Sequence, residues 1–87
     1  MTAPPHMSEA VASAWEELIA DREKLGLPML KPGVGEAAAV QLVRMRDASK
    51  RIEAEGLLVA DGKGNPVAHP ALEVERLAQD HLRRLLG

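Results

Sequence analysis

The sequence predicts a mainly α-helical fold with three helices and a short β-hairpin between helices two and three. Apolar residues recur every three or four positions over three stretches of the chain, which is typical of amphipathic helices. Between the last two stretches, short apolar runs flank the glycine-rich segment DGKGN, which is typical of a hairpin turn. These two observations define the fold class and the order of its elements.

Length and composition limit the class of protein. With 87 residues we expect one helical domain over residues 8–87, preceded by a flexible N-terminal arm at residues 1–7. The chain has no cysteine, which excludes disulfides and thiolate metal sites. No apolar run approaches the roughly 18 residues of a membrane span, and no signal peptide is recognisable, so we expect a soluble, cytoplasmic protein. A net charge of −2 confines any DNA-binding surface to a local patch.

The first helix is predicted over residues 8–25. Ser8 is a favourable N-cap, and Glu9 places a negative charge in the first turn, where it complements the helix dipole. Gly26 and the following Leu-Pro are strong stop signals. One face of this helix carries the apolar stripe Val11, Ala14, Trp15, Leu18, Ile19 and Leu25.

The second helix is predicted over residues 36–55, after a proline- and glycine-rich connector at residues 27–35. Its main apolar stripe contains Ala38, Leu42, Met45 and Ile52. A second apolar patch lies on another face, and either the connector or a second subunit has to cover it. Small residues permit close helix approach, so the sequence favours an oligomer interface at Ala39, Val40 and Val43.

The hairpin is predicted over residues 57–68 and the third helix over residues 70–86. Pro66 cannot donate a backbone hydrogen bond, so its strand has to be short and at an edge. Because an isolated two-stranded hairpin is marginal in water, we expect it to pack on the helices, with Leu58 as a packing residue, or to pair with something else. Pro70 suits the first turn of helix three.

No catalytic or metal-binding pattern stands out. Asp61, Lys63 and Asn65 alternate as in a calcium loop, but the glycines are misplaced and Leu72 occupies the position of the bidentate glutamate. The DGKGN turn could offer N–H groups to a phosphate, although a solvated turn is favoured. The three histidines lack metal-site spacing, and His81 is expected in the core or at an interface. We expect no cofactor, no metal and no enzymatic activity.

The arginines provide the candidate DNA-binding residues. At 100° per residue Arg44 and Arg51 share one face of helix two, whereas Arg76 and Arg83 share a polar face of helix three. For any single arginine a solvated surface charge is the simpler interpretation. Repetition of the same arginines around an oligomer would favour a phosphate-contacting surface.

The order of these elements resembles a known family. In order, the chain has a helix ending in "EG", a strand, "DGKGN", a second strand, a polar residue before proline, and an apolar helix. This order resembles that of the small terminase subunit of tailed bacteriophages, in its glycine-rich hairpin branch. The upstream helix "AWEELIADREKLG" fits the same pattern. The resemblance implies a non-catalytic, homo-oligomeric DNA-packaging factor in the bacterial host cytoplasm. Such a factor recognises the packaging start on double-stranded phage DNA and engages the terminase large subunit.

A second hypothesis is a helical protein-binding adaptor of prophage origin without DNA function. It would retain the same scaffold but not the phosphate contacts. Salt-dependent binding to duplex DNA distinguishes the two hypotheses, since phosphate contacts release counterions and protein contacts do not.

Overall fold

The computed structural model describes residues 6–87 and confirms the predicted fold class and element order. Most of the predicted arm, residues 1–5, lies outside the described residues. Its last two residues already contact the helical domain, because His6 Nε2 lies 2.7 Å from Glu36 Oε1 and Met7 packs against the core. The elements are helices α1 (Glu9–Leu25), α2 (Pro32–Glu55) and α3 (Ala71–Leu86), with strands β1 (Leu58–Ala60) and β2 (Pro66–Ala68) between α2 and α3.

Helix α1 begins and ends where its capping residues predict. The Ser8 side chain accepts a hydrogen bond from the Val11 N–H at 3.2 Å. Gly26 has a left-handed φ of 69°, and its N–H donates to the Glu23 carbonyl at 3.1 Å. A β-carbon would disfavour this conformation, so glycine is the residue best suited to end the helix there.

Helix α2 begins at Pro32, four residues before the predicted start, so the expected connector is wrong over residues 32–35. Pro32 suits the first helical position, because its fixed φ matches a helix and no N–H is needed there. The Gly35 N–H donates to the Lys31 carbonyl at 2.9 Å, which is a helical hydrogen bond. Gly35 also lies against Trp15, and an added β-carbon would be 3.2 Å from the indole Nε1. Tertiary packing therefore favours a glycine inside this helix.

Helix α2 lies between the other two helices. Against α1 it forms the core cluster of Ala14, Trp15, Ile19, Ala39 and Leu42. On its other side α3 runs back along it: Ser49 hydrogen-bonds Glu75, Glu55 hydrogen-bonds His69, and Leu82 packs against the core. Contact with two helices explains why the first half of α2 is apolar around so much of its circumference.

The second apolar face of α2 is therefore largely covered within the chain, by α1 rather than by the connector. Ala39 is fully buried and presents no surface to a second copy. Val43 packs partly buried against the core cluster, and Val40 is half-buried. An oligomer interface at Val40 and Val43 stays a prediction. Packing against α1 within the same chain already accounts for the apolar pattern that suggested this interface.

The hairpin packs little against the helices, so the first of its two expected arrangements is wrong and pairing with something else stays a prediction. Leu58 pairs with Ala68, Val59 with Val67 and Ala60 with Pro66, and of these residues only Val59 is half-buried. Leu58 is 65% exposed, so its assignment as a packing residue is wrong. Each strand has only three residues, so the hairpin offers few side chains for packing against the helices.

The turn of the hairpin is held by Asp61. Its carboxylate accepts hydrogen bonds from the Asn65 N–H at 2.9 Å and the Lys63 N–H at 2.8 Å. These bonds, the one from Asn65 first, stabilise the ionised form and lower the pKa of Asp61. Asp61 thus acts as a turn residue, as the solvated-turn interpretation requires.

Candidate nucleic-acid interface

A groove of about 380 Å³ lies between α2 and the beginning of α3. It is open to solvent and offers two guanidinium groups, one carboxylate and one imidazole along a partly apolar floor. The lining residues are Arg44, Asp47, Ala48 and Arg51 from α2, His69 and Pro70 just before α3, and Ala71 and Val74 from its first turn.

The helical repeat brings Arg44 and Arg51 to the same groove. They are seven residues apart, which is close to two helical turns and about 10 Å along the axis. Both side chains are exposed. The structure thus places the two candidate DNA-binding residues of helix two together on one face, as their spacing predicts. Arg46 lies on a different face and contacts α1 instead.

The floor of the groove is built by small residues and by His69. Ala48 and Ala71 are 4% and 6% exposed, which allows α3 to approach α2 closely. His69 is 7% exposed, and its Nδ1 accepts a hydrogen bond from the Ala71 N–H at 2.9 Å. An accepting Nδ1 leaves the ring proton on Nε2, which donates to the Glu55 carboxylate. His69 therefore joins the end of α2 to the first turn of α3.

This structural role of His69 was not predicted from the sequence, where His69 was weighed as a metal ligand and as the polar residue before Pro70. One signal was present: the histidine directly precedes the proline that opens a helix, where an acceptor can satisfy a free N–H. Its backbone is engaged as well, because the His69 N–H donates to the Leu57 carbonyl at 2.9 Å. A single residue thus connects the hairpin, α2 and α3 beside the two arginines.

Arg44 and Arg51 differ from the other candidate pair in their charge environment. Within residues 6–87, neither Arg44 nor Arg51 forms an ion pair, and Asp47 is the only acidic residue that lines the groove. Their charges are accordingly less compensated than those of paired arginines. Such a surface attracts an anion such as a phosphate group.

Arg76 and Arg83 lie on the exposed face of α3 and are paired with acids. Arg76 donates to Glu73 at 2.6 Å and 3.2 Å and lies 3.3 Å from Asp80, while Arg83 lies 3.9 Å from Asp80. The hydrogen bond from Arg76 lowers the pKa of Glu73. Two arginines and two carboxylates cancel in formal charge, so this face is a weaker candidate for phosphate contact. The structure does not bring it to the groove.

His81 is exposed, so its placement in the core is wrong. In residues 6–87 no group of three or more His, Asp or Glu side chains is arranged to hold a metal ion. No helix in that range has the length and apolar character needed to cross a bilayer.

Comparisons with models of protein families, with curated proteins and with solved structures found no match to this chain.

Proposed function

We propose that this chain is a non-catalytic DNA-packaging factor similar to the small terminase subunit of tailed bacteriophages. In this proposal it binds the packaging start of double-stranded phage DNA, assembles with copies of itself and engages the terminase large subunit in the host cytoplasm. The observation that carries the proposal is the pair Arg44 and Arg51, exposed and without ion pairs in residues 6–87, at one groove. The order of the helices and the hairpin supports the resemblance.

The chemistry of the groove suits the DNA backbone better than the base edges. Guanidinium groups bind phosphate oxygens through paired N–H donors, and most protein–DNA hydrogen bonds go to phosphate and sugar. The groove lies between two helices, and its two arginines line the α2 side, next to the buried floor residues Ala48 and Ala71. The sugar-phosphate backbone of DNA can approach such a surface without a protein helix entering the major groove.

A single chain should bind duplex DNA only weakly. Each neutralised phosphate contributes about 0.9 to the slope of log affinity against log salt, and one groove offers two cations for this purpose. Copies linked in one assembly raise the effective concentration of the second and later contacts, so affinity rises about a hundredfold or more. DNA binding and self-association are therefore coupled in this proposal.

The alternative, a protein-binding adaptor without DNA function, is favoured by a different observation. The chain exposes several large apolar side chains, with Leu25 at 71%, Leu58 at 65% and Leu57 at 62%. Leu57 and Leu58 are adjacent in the chain, and contiguous exposed apolar side chains are typical of protein interaction sites. Binding through these leucines and binding through the arginine groove should respond differently to salt. Phosphate contacts weaken as the salt concentration rises, whereas apolar contacts do not.

The experiment is a fluorescence-anisotropy titration of a mixed-sequence DNA duplex at low salt with wild-type protein and two double variants. Arg44→Gln/Arg51→Gln removes the groove charges, and Arg76→Gln/Arg83→Gln is a matched control that removes the same charge elsewhere. We expect at least tenfold weaker binding for the first variant and less than threefold weaker binding for the second. Equal losses would contradict the groove assignment, and no binding by self-associated wild-type protein would favour the adaptor.

A further inference from the structure

Within residues 6–87, the outward backbone N–H and C=O groups of β1 have no hydrogen-bond partner. The His69 N–H donates to the Leu57 carbonyl at 2.9 Å, and the Asp61 N–H donates to the Asn65 carbonyl at 2.9 Å. Hydrogen-bonded and non-hydrogen-bonded pairs alternate along an antiparallel ladder. Val59 and Val67 lie midway between these two bonds, so they form the next hydrogen-bonded pair. The N–H and C=O groups of Leu58 and Ala60 therefore point away from β2.

The two edges of the hairpin are not equivalent. On β2 the corresponding outward residues are Ala68 and Pro66, and Pro66 has no N–H to donate. On β1 both outward residues can donate and accept. Natural edge strands are usually protected by charged side chains, proline or a bulge, and β1 has none of these within Leu58–Ala60. The hairpin has one blocked edge and one open edge.

We propose that the open edge of β1 pairs with β1 of a second copy of this chain, in antiparallel orientation about a two-fold axis. The register follows from the outward groups: Leu58 faces the second copy's Ala60, Ala60 faces its Leu58, and each pair exchanges both N–H···O=C bonds. Val59 then faces Val59 of the second copy at the axis. The contact is self-complementary, as a two-fold interface requires.

Charge complementarity favours this register and this occupant. Glu55 precedes β1 at the end of α2 and Lys63 follows it in the turn, so an antiparallel pair of identical strands places opposite charges near each end of the interface. Glu55 retains 56% exposure of its side chain, so it is accessible to a second chain. The apolar residues Leu57 and Leu58, both more than half exposed, lie between these charges.

The size of the surface sets the expected strength. A stable specific interface buries more than about 1,000 Å² in total, and a short strand pair with its neighbouring leucines offers less than that. The pairing should therefore be weak and concentration-dependent, with a dissociation constant of about 10 µM or above. The pairing details the self-association in the proposed function, and because it is measured without DNA, its failure can be distinguished from a failure of DNA binding.

Sedimentation velocity of the full chain over a concentration series, without DNA, tests the pairing. Ala60→Pro removes an outward N–H from β1 without removing a hydrogen bond of the hairpin, and Ala68→Pro does the same on β2. We expect wild type and Ala68→Pro to form dimers at high concentration and Ala60→Pro to stay monomeric, with far-UV circular dichroism confirming that all three fold. A wild-type protein that remains monomeric at millimolar concentration, or equal behaviour of the two proline variants, overturns the proposal.

Cysteine cross-linking is a second test of the pairing, and it detects a weak interface because a disulfide traps dimers that form only transiently. The chain has no cysteine, so a single introduced thiol reports one contact. In the proposed pair the two Val59 Cα atoms are about 4.5 Å apart, which a disulfide can bridge. The two Val67 Cα atoms are about 14 Å apart, because both copies of β1 lie between them. We expect Val59→Cys to form a disulfide dimer under mild oxidation at least ten times faster than Val67→Cys. Comparable rates would contradict the register.

Discussion

Replacement of the two glycines in the first turn of α2 by alanine separates the helical conformation from the packing against Trp15. Gly33 and Gly35 lie within the helix, and neither has a positive φ. A β-carbon at Gly33 would meet no atom within 4 Å, whereas one at Gly35 would lie 3.2 Å from Trp15 Nε1 and 3.7 Å from its Cδ1. The same substitution thus gains helix propensity at both positions but creates a steric conflict at only one.

The expected free-energy changes follow from this difference. Gly→Ala in a helix stabilises by about 0.4–1 kcal/mol, mainly by restricting the unfolded chain. At Gly35 the indole ring has to move, and Trp15 is only 6% exposed, so the surrounding core limits its movement. Overpacking a core costs about 1–3 kcal/mol. We expect Gly33→Ala to be stabilising, and Gly35→Ala to be about 1–3 kcal/mol less stable than Gly33→Ala.

Thermal and urea unfolding followed by circular dichroism measure both effects. In a domain of this size a difference of 1 kcal/mol shifts Tm by about 4–8 °C, which is easily resolved. Combining Gly35→Ala with Trp15→Leu should remove most of the penalty, since the ring that causes it is gone. Equal stabilisation by both alanines would refute the Trp15 contact, and destabilisation by Gly33→Ala would refute the helix start at Pro32.

Three further predictions concern the contacts between elements. Glu17 forms a bidentate pair with Arg46, and the hydrogen bond from Arg46 lowers the pKa of Glu17. The pair therefore stabilises the fold above the normal pKa of a glutamate, about 4, and this stabilisation is lost as the pH falls. Glu17→Gln should cost up to about 1 kcal/mol of unfolding free energy in chemical denaturation at pH 7 and much less at pH 3. His69→Ala should cost about 1–3 kcal/mol in the same assay, because it leaves a helix N–H unsatisfied, and His69→Asn should recover part of the loss by supplying an acceptor. Leu58→Asp should change the Tm of dilute protein by less than about 4 °C, since the side chain is mostly exposed, and a larger loss would show that the hairpin packs on the helices.

Capping residues made most element boundaries predictable from sequence. Ser8 and Gly26 define α1, and Gly56 follows the end of α2. The start of α2 was not predictable in the same way, because Pro32 and its neighbouring glycines fit a loop as well as a first helical turn. Whether Gly35 belongs to a helix depends on Trp15, which is distant in sequence and contacts it only in the folded chain.

The candidate site was predictable to the extent that helical geometry determines it. The spacing of Arg44 and Arg51 is enough to place both on one face. The pairing of Arg76 with Glu73 and Asp80 was also visible in principle, since acids three and four residues away are its neighbours on a helix. The position of His69 on the floor of the groove depends on how α3 packs against α2, which periodicity alone does not give.

The salt dependence of DNA binding tests the central claim most directly. Affinity for one mixed-sequence duplex is measured by anisotropy over a range of salt concentrations for wild type, Arg44→Gln/Arg51→Gln and the control Arg76→Gln/Arg83→Gln. If the groove neutralises two phosphates per chain, the slope of log affinity against log salt should fall by about 1.8 per bound chain in the groove variant and stay near the wild-type value in the control. Identical slopes for wild type and the groove variant, or a fall in the control alone, would contradict the assignment of Arg44 and Arg51 as the DNA-binding residues.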